Sequence, residues 1–168
     1  LSGLFNNISK QAFLLGIPKL KSEKSTNLSL GIGFKPTKNL NITLDFYNID
    51  IKDRIVYSSS ISSKDSTTIL FDILTKANLK TVQFFINGIK TRTQGLDFVA
   101  NYKNIWIGKG KMALNLAGNY TITNEIIGSP NEPTAIKAAG SSILNTQIKS
   151  LLTESRPKIK VILGIDYN

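Results

Sequence analysis

Apolar and polar residues alternate with a period of two over most of this chain. Leu28, Leu30, Ile32 and Phe34 alternate with Ser29, Gly31, Gly33 and Lys35, and Pro36-Thr37-Lys38-Asn39 has the composition of a tight turn. Leu40, Ile42, Leu44 and Phe46 then alternate with Asn41, Thr43 and Asp45. After Phe46 the pattern slips by one, and Ile49 and Ile51 continue on the other parity, as at a bulge or at the exit from an apolar band. Further on, Leu96, Phe98, Ala100 and Tyr102 stand opposite Gly95, Asp97, Val99 and Asn101. Met112, Leu114, Leu116, Tyr120 and Ile122 stand opposite Ala113, Asn115, Ala117, Asn119 and Thr121. Ile159, Val161, Leu163, Ile165 and Tyr167 close the series against Lys158, Lys160, Gly164 and Asp166, with Ile162 the exception on the second face.

The pattern predicts an all-β antiparallel meander with strands near 24–35, 40–56, 81–103, 111–123 and 157–168. Connections alternate in length: 36–39 and 103–110 are short, 58–80 and 124–157 long. The hydroxyl-rich run Ser58-Ser59-Ser60-Ile61-Ser62-Ser63 marks the first long connection as an exposed loop. Ile69, Leu70, Phe71, Ile73 and Leu74 predict a short helix inside it, and Ile143, Leu144, Ile148, Leu151 and Leu152 predict another in the second. No internal repeat beyond the hairpins and no domain boundary is visible.

Strands of roughly ten residues with one apolar and one small-polar face fit a tilted crossing of a hydrocarbon layer. Alternating short and long turns fit the periplasmic and extracellular sides of a membrane barrel. The polar face carries Asn, Thr, Ser, Gly, Asp and Lys, which suits a wet lumen better than a packed interior. Trp106, beside a short turn, and Tyr102 are placed in a periplasmic aromatic girdle. A soluble antiparallel sandwich also alternates, but loops this long are unusual in a compact soluble domain. A small complete barrel of about eight strands needs more strands than the pattern supplies. The alternative to a transporter component is a soluble β-rich binding or adhesion module with a basic surface. Which way the apolar faces turn decides between them.

Composition narrows the chemistry. The 168 residues contain neither cysteine nor histidine, which removes disulfides, thiolate nucleophiles, imidazole catalysis and most transition-metal sites. The net charge of +10 fits nucleic acid, anionic lipid or an acidic ligand. The basic residues are dispersed and form no polybasic arm, so nucleic acid is not expected as a partner. No apolar run approaches the length of a transmembrane helix. Leu1-Ser2-Gly3-Leu4 lacks the features of a secretory signal, so the barrel reading places the natural N-terminus upstream.

Four stretches carry a family resemblance. Glu23-Lys24-Ser25-Thr26-Asn27-Leu28-Ser29-Leu30-Gly31 has the form E-x-S-x-N-x-x-x-G. Leu44-Asp45-Phe46-Tyr47-Asn48-Ile49-Asp50-Ile51-Lys52-Asp53-Arg54-Ile55 follows the aromatic-x-I-x-I-x-D-x-I pattern, and Asn87 to Asp97 places an asparagine eight residues before Gly95-Leu96-Asp97. Arg156-Pro157-Lys158 precedes the last strand. In this order they resemble the barrel of TonB-dependent outer-membrane receptors, toward its C-terminal part, across most of residues 20–168. The resemblance implies a fragment of a 22-stranded transmembrane β-barrel with a plugged lumen. It implies a cell outer-membrane location in a Gram-negative organism, and import of a scarce ligand such as a metal chelate, a cobalamin-like cofactor or a glycan. Expected partners are outer-membrane lipid and lipopolysaccharide, an unknown small ligand, and the TonB complex acting through a plug domain that this stretch does not contain. No resident cofactor and no catalysis are implied.

Single residues sort within that frame. Asp97 points to the lumen face, as an ordinary carboxylate or as a partner for a lumen cation or the plug. Asp50, Asp53 and Arg54 lie near the extracellular end of their strand, suited to ion pairing or to contact with lipopolysaccharide phosphates or ligand. Lys90 and Arg92 share the apolar parity of theirs, which places them above the hydrocarbon band. Gly95 reads as a kink or a close approach. Glu125 and Glu132 have no nucleophile beside them and read as solvated loop carboxylates.

Overall fold

A computed structural model describes residues 1–168. In chain order the elements are β1 (Ser2–Leu4), α1 (Lys10–Leu14), β2 (Lys24–Thr37), β3 (Leu40–Tyr57), α2 (Ile69–Lys76), β4 (Thr81–Gln83), β5 (Phe85–Ile107), β6 (Gly110–Ile127), α3 (Thr134–Ala138), α4 (Thr146–Thr153) and β7 (Ile159–Tyr167). The long strands form one antiparallel sheet in the order β2-β3-β5-β6-β7, so sequence neighbours are spatial neighbours, as the alternation predicts. β1 and β4 pair in parallel, with Ser2 opposite Thr81.

Both tight turns are shorter than their composition suggests. Pro36 and Thr37 belong to β2, and only Lys38 and Asn39 turn, with the Thr37 hydroxyl accepting from the backbone N–H groups of Asn39 (3.3 Å) and Leu40 (3.2 Å). The connection expected over 103–110 shrinks to Gly108 and Lys109, and Trp106 lies inside β5. Gly108 has φ 59°, which a two-residue hairpin requires and glycine adopts without cost. The strand expected over 81–103 is interrupted at Phe84: β4 joins β1, and β5 starts at Phe85. β6 runs on to Ile127, four residues into the stretch predicted as loop.

Contacts fall into two units. The first comprises Leu1–Ser25, Ile51–Thr91 and Ile126–Ser155; the second comprises Thr26–Asp50, Arg92–Glu125 and Arg156–Asn168. The buried apolar residues all belong to the first: Ala12, Leu15, Ile17, Val56, Ile61, Leu70, Ile73, Leu74, Val82, Phe84, Ile86, Ile89, Ile136, Ile143 and Leu144. The long connections are therefore packed, not loose. α2 forms where predicted, capped by the Thr68 hydroxyl on Phe71 N–H (3.3 Å) and carrying an Asp72–Lys76 pair one turn apart. Ahead of it Asp65 accepts from the Thr67 hydroxyl (2.7 Å) and its backbone N–H (2.9 Å), which hold the Asp65 carboxyl below the usual carboxylate range. The turn is thus favoured above ordinary carboxylate pKa values and loses that support as pH falls through the lowered one. The second predicted helix begins later, as α4, and Ile143 and Leu144 precede it as buried loop residues.

The serine run corrects its prediction. Ser58 and Ser59 are 0% and 5% exposed. Burial is tolerated because their hydroxyls are bonded: Ser58 donates to Ser59 O (2.9 Å) and accepts from Phe84 N–H (3.1 Å), and Ser59 donates to Ser142 O. Ser59 N–H donates to Ile143 O at 2.8 Å, so the two long connections are stitched to each other. Composition reports hydroxyls; it does not report who accepts from them.

Phe84 is fully buried at the centre of this core. Phe84→Ala should cost about 3–5 kcal/mol locally. In the full-length receptor this should appear as faster proteolysis within 58–80 and 128–157; unchanged cleavage would show that the core contributes little.

Candidate functional site

In the second unit the two faces of the sheet differ in chemistry. β6 and β7 pair with Leu114 opposite Ile165, Leu116 opposite Leu163 and Gly118 opposite Val161, so one face carries only apolar or small side chains there. These side chains have no protein cover: Leu163 is 65% exposed, and on β2 Leu30 is 74% exposed. Leu28, Ile32, Phe34, Leu44, Leu116, Tyr120, Ile122, Val161 and Ile165 are exposed as well. A water-soluble sheet does not leave an apolar face of this extent open. Trp106 is 68% exposed with Lys111 Nζ 4.7 Å from its ring centroid, and Tyr102 is also exposed.

The opposite face is hydrogen-bonded and small. Asn119 gives its amide hydrogens to Asp97 (2.7 Å) and to the Tyr47 hydroxyl (3.1 Å). Asn115 donates to Asp166 at 2.8 Å. Gly95 lies directly beneath the Tyr47 ring, where any Cβ would overlap the ring and approach Tyr120 O. Gly95 is therefore fixed by a close approach, not by a kink. Asp97 sits in a local network, with Asn119 as its partner.

Asp50 and Arg92 form a bidentate ion pair at 2.7 and 2.9 Å. Beside them Gln94 donates to Asn48 at 2.9 Å. These four residues share the parity of Phe46 and Phe98, so the apolar stripe of β3 and β5 gives way here to polar pairs. That is the physical content of the phase slip after Phe46.

In the first unit Asp53 takes φ 54° and pairs with Lys21 at 3.1 Å, while Arg54 donates to the Thr91 hydroxyl at 3.0 Å and Lys90 is exposed. Of the six charged candidates, Asp50 and Arg92 pair with each other, Asp53, Arg54 and Asp97 each have a different local partner, and Lys90 is exposed. Two residues that the motifs contain had no role assigned by the pattern. Buried Asn87 accepts from Lys21 N–H (2.9 Å) and donates to Lys21 O (2.8 Å) and Asp53 O (2.7 Å), clamping three backbone stretches. Glu23 accepts from Ile55 N–H at 2.6 Å. Glu132, read as solvated, accepts from the Ser142 hydroxyl and from Ile143 N–H (3.2 Å); Glu125 lies in β6. The first unit also holds an open cavity of about 640 Å³ lined by Leu14, Leu15, Pro18, Ile86, Glu132 and Pro133 among others.

Long antiparallel strands joined by two-residue turns, with an uncovered apolar face backed by a small polar one, define a segment of a transmembrane β-barrel. The family model described as TonB dependent receptor-like, beta-barrel matches residues 2–168, and the chain belongs to that family of outer-membrane transport receptors. No curated protein and no solved structure matches the chain.

Two expectations follow. Ile42→Lys and Leu114→Lys should each cost about 2–4 kcal/mol of insertion free energy near the bilayer midplane, whereas Asn115→Lys on the other face should be nearly neutral; equal effects at all three positions in an insertion assay would refute the facial assignment. Gly95→Val should displace Tyr47 and cost about 1–3 kcal/mol, read as a lowered unfolding temperature of the folded receptor, with Val99→Ala as the mild control.

Proposed function

We propose that this chain is part of the barrel of an active importer. The second unit lies in the outer membrane with its apolar parity toward lipid. The connections of the first unit lie on the extracellular side and take part in holding the transported ligand. That ligand is scarce and small: a metal chelate, a cobalamin-like cofactor or a glycan. Energy reaches it from the TonB complex through a plug domain. Asp50, Asp53, Arg54, Lys90 and Arg92 then fall at the level of lipopolysaccharide sugar-phosphates, Asp97 lines the lumen, and Trp106 and Tyr102 belong to the periplasmic girdle. The observation that carries this reading is the family match over residues 2–168. The open, partly apolar cavity beside Glu132 supports a ligand-handling role for the first unit.

Deleting residues 59–76 from the full-length receptor should abolish or strongly reduce uptake while the barrel remains in the membrane. Because Ile61, Leu70, Ile73 and Leu74 belong to the core, Leu70→Ala with Leu74→Ala provides a milder variant, expected to reduce uptake partially. Normal uptake in both would remove this connection from ligand binding. External protease on intact cells should cut within 58–80 or 128–157 and spare Trp106; the reverse pattern would invert the topology.

A further inference from the structure

The first unit holds a second cavity, of about 480 Å³, between the end of the serine run and the start of β4. Phe71 and Leu74 of α2, with Leu79 just after it, supply its apolar surface. Lys64 and Lys80 supply charge, Ser62 and Thr75 contribute hydroxyls, and no carboxylate lines it. Backbone pairing brings the two lysines together across the whole of α2. Ile61 and Val82 form an isolated antiparallel bridge, bonded N–H to O in both directions at 2.8 and 2.9 Å. The residues that follow Ile61 therefore lie alongside those that precede Val82. Both sides are tied down: Ser62 O accepts from the Ser141 hydroxyl at 2.6 Å, and Lys80 N–H donates to Leu1 O at 2.8 Å.

Neither lysine has a counter-charge within the chain, whose ion pairs are Lys21–Asp53, Lys76–Asp72 and Arg92–Asp50. Asp65, next to Lys64 in sequence, is engaged by the hydroxyl and N–H of Thr67 instead. Two unpaired ammonium groups at one small cavity favour an anion between them, and a charge-assisted hydrogen bond is stronger than a neutral one. The apolar surface adds a second demand. A bare inorganic anion would leave Phe71, Leu74 and Leu79 in water, and a neutral apolar molecule would leave the lysines without a partner. A molecule with an acidic group on an apolar or aromatic body meets both demands, as ligand sites with mostly apolar walls and a few placed charges do.

We propose that this cavity binds an organic anion, with the acidic group between Lys64 and Lys80 and the aromatic or branched body against Phe71, Leu74 and Leu79. The site rests on the reading that the connections of the first unit hold the imported ligand, and it narrows that ligand to an acidic, partly apolar one.

The test uses the full-length receptor in detergent micelles, titrated calorimetrically against receptor-free micelles with three probes: naphthalenesulfonate, neutral naphthol and inorganic sulfate. Naphthalenesulfonate should bind more tightly than either of the others, and less tightly as salt is added. The double variant Lys64→Gln, Lys80→Gln should weaken it at least about tenfold, the loss expected when even one hydrogen bond to a charged group is removed. Lys149→Gln, outside the cavity, should bind it normally. No naphthalenesulfonate binding by the unsubstituted receptor, or equal binding by a double variant that keeps heat-modifiable barrel mobility, would overturn the site. Naphthol binding as tightly as the sulfonate would overturn the acidic assignment, and sulfate binding as tightly would overturn the apolar one. Uptake that survives in the double variant but is lost on deleting residues 59–76 would overturn this site and leave the importer reading standing; uptake that survives both would overturn the reading beneath it.

Discussion

The constraint on which this structure depends is that its apolar side chains have two different places to go. In the first unit they are removed from water by one another. In the second they are removed from water by nothing in the protein, and the sheet is stable only if another solvent covers them. Hydrocarbon is that solvent, and it imposes a second condition, that every backbone donor and acceptor be paired along the strands. Strands as long as β3, β5 and β6, with two-residue turns joining β2 to β3 and β5 to β6, meet that condition with few interruptions. The small polar residues of the opposite face follow from the same arrangement, since they face water and can be chosen for hydrogen bonding and close approach.

The first unit solves a different problem. Its connections are too long to be simple turns and too rich in polar backbone to be buried without partners. It forms a core from three separated stretches and satisfies the backbone with side chains from those same stretches. Asn87 is the clearest case, because one buried amide serves Lys21 and Asp53 together. Ser58, Ser59 and Glu132 do the same where the two long connections meet. The cost of burying these groups is offset because each has a partner.

How much of this was legible in the sequence depends on the range of the interaction responsible. The strands, their order and their faces follow from a period of two, a local property, and the assignment of Leu28 through Phe34 and of Ile159 through Tyr167 needed nothing else. α2 was legible because its apolar spacing is helical over two turns. The exact turns were not, since Pro36 and the stretch from Lys103 to Trp106 have turn-like composition but are held extended by neighbouring strands. Burial of Ser58 and Ser59 was hidden because the groups that pair with their hydroxyls, Phe84 N–H and Ser142 O, lie far along the chain. Asn87 and Glu23 were visible as motif letters, yet their partners are 66 and 32 residues away, so a single sequence could mark the positions without giving the reason for them. Tyr47 over Gly95 was half legible: a strand glycine marks a close approach, but the sequence does not say that Tyr47 makes it.

The shared core has a consequence for exchange between related receptors. The N-terminal segment contributes Leu15 and Ile17, the first long connection Ile61 and Leu70, and the second Ile136 and Ile143 to one cluster. A chimera that grafts a single loop from another receptor would bring one mismatched part of that cluster and leave the donor's hydrogen-bond partners behind. Loop identity is therefore inherited as a set, and recombination that respects the set can change what the surface presents without disturbing what holds it.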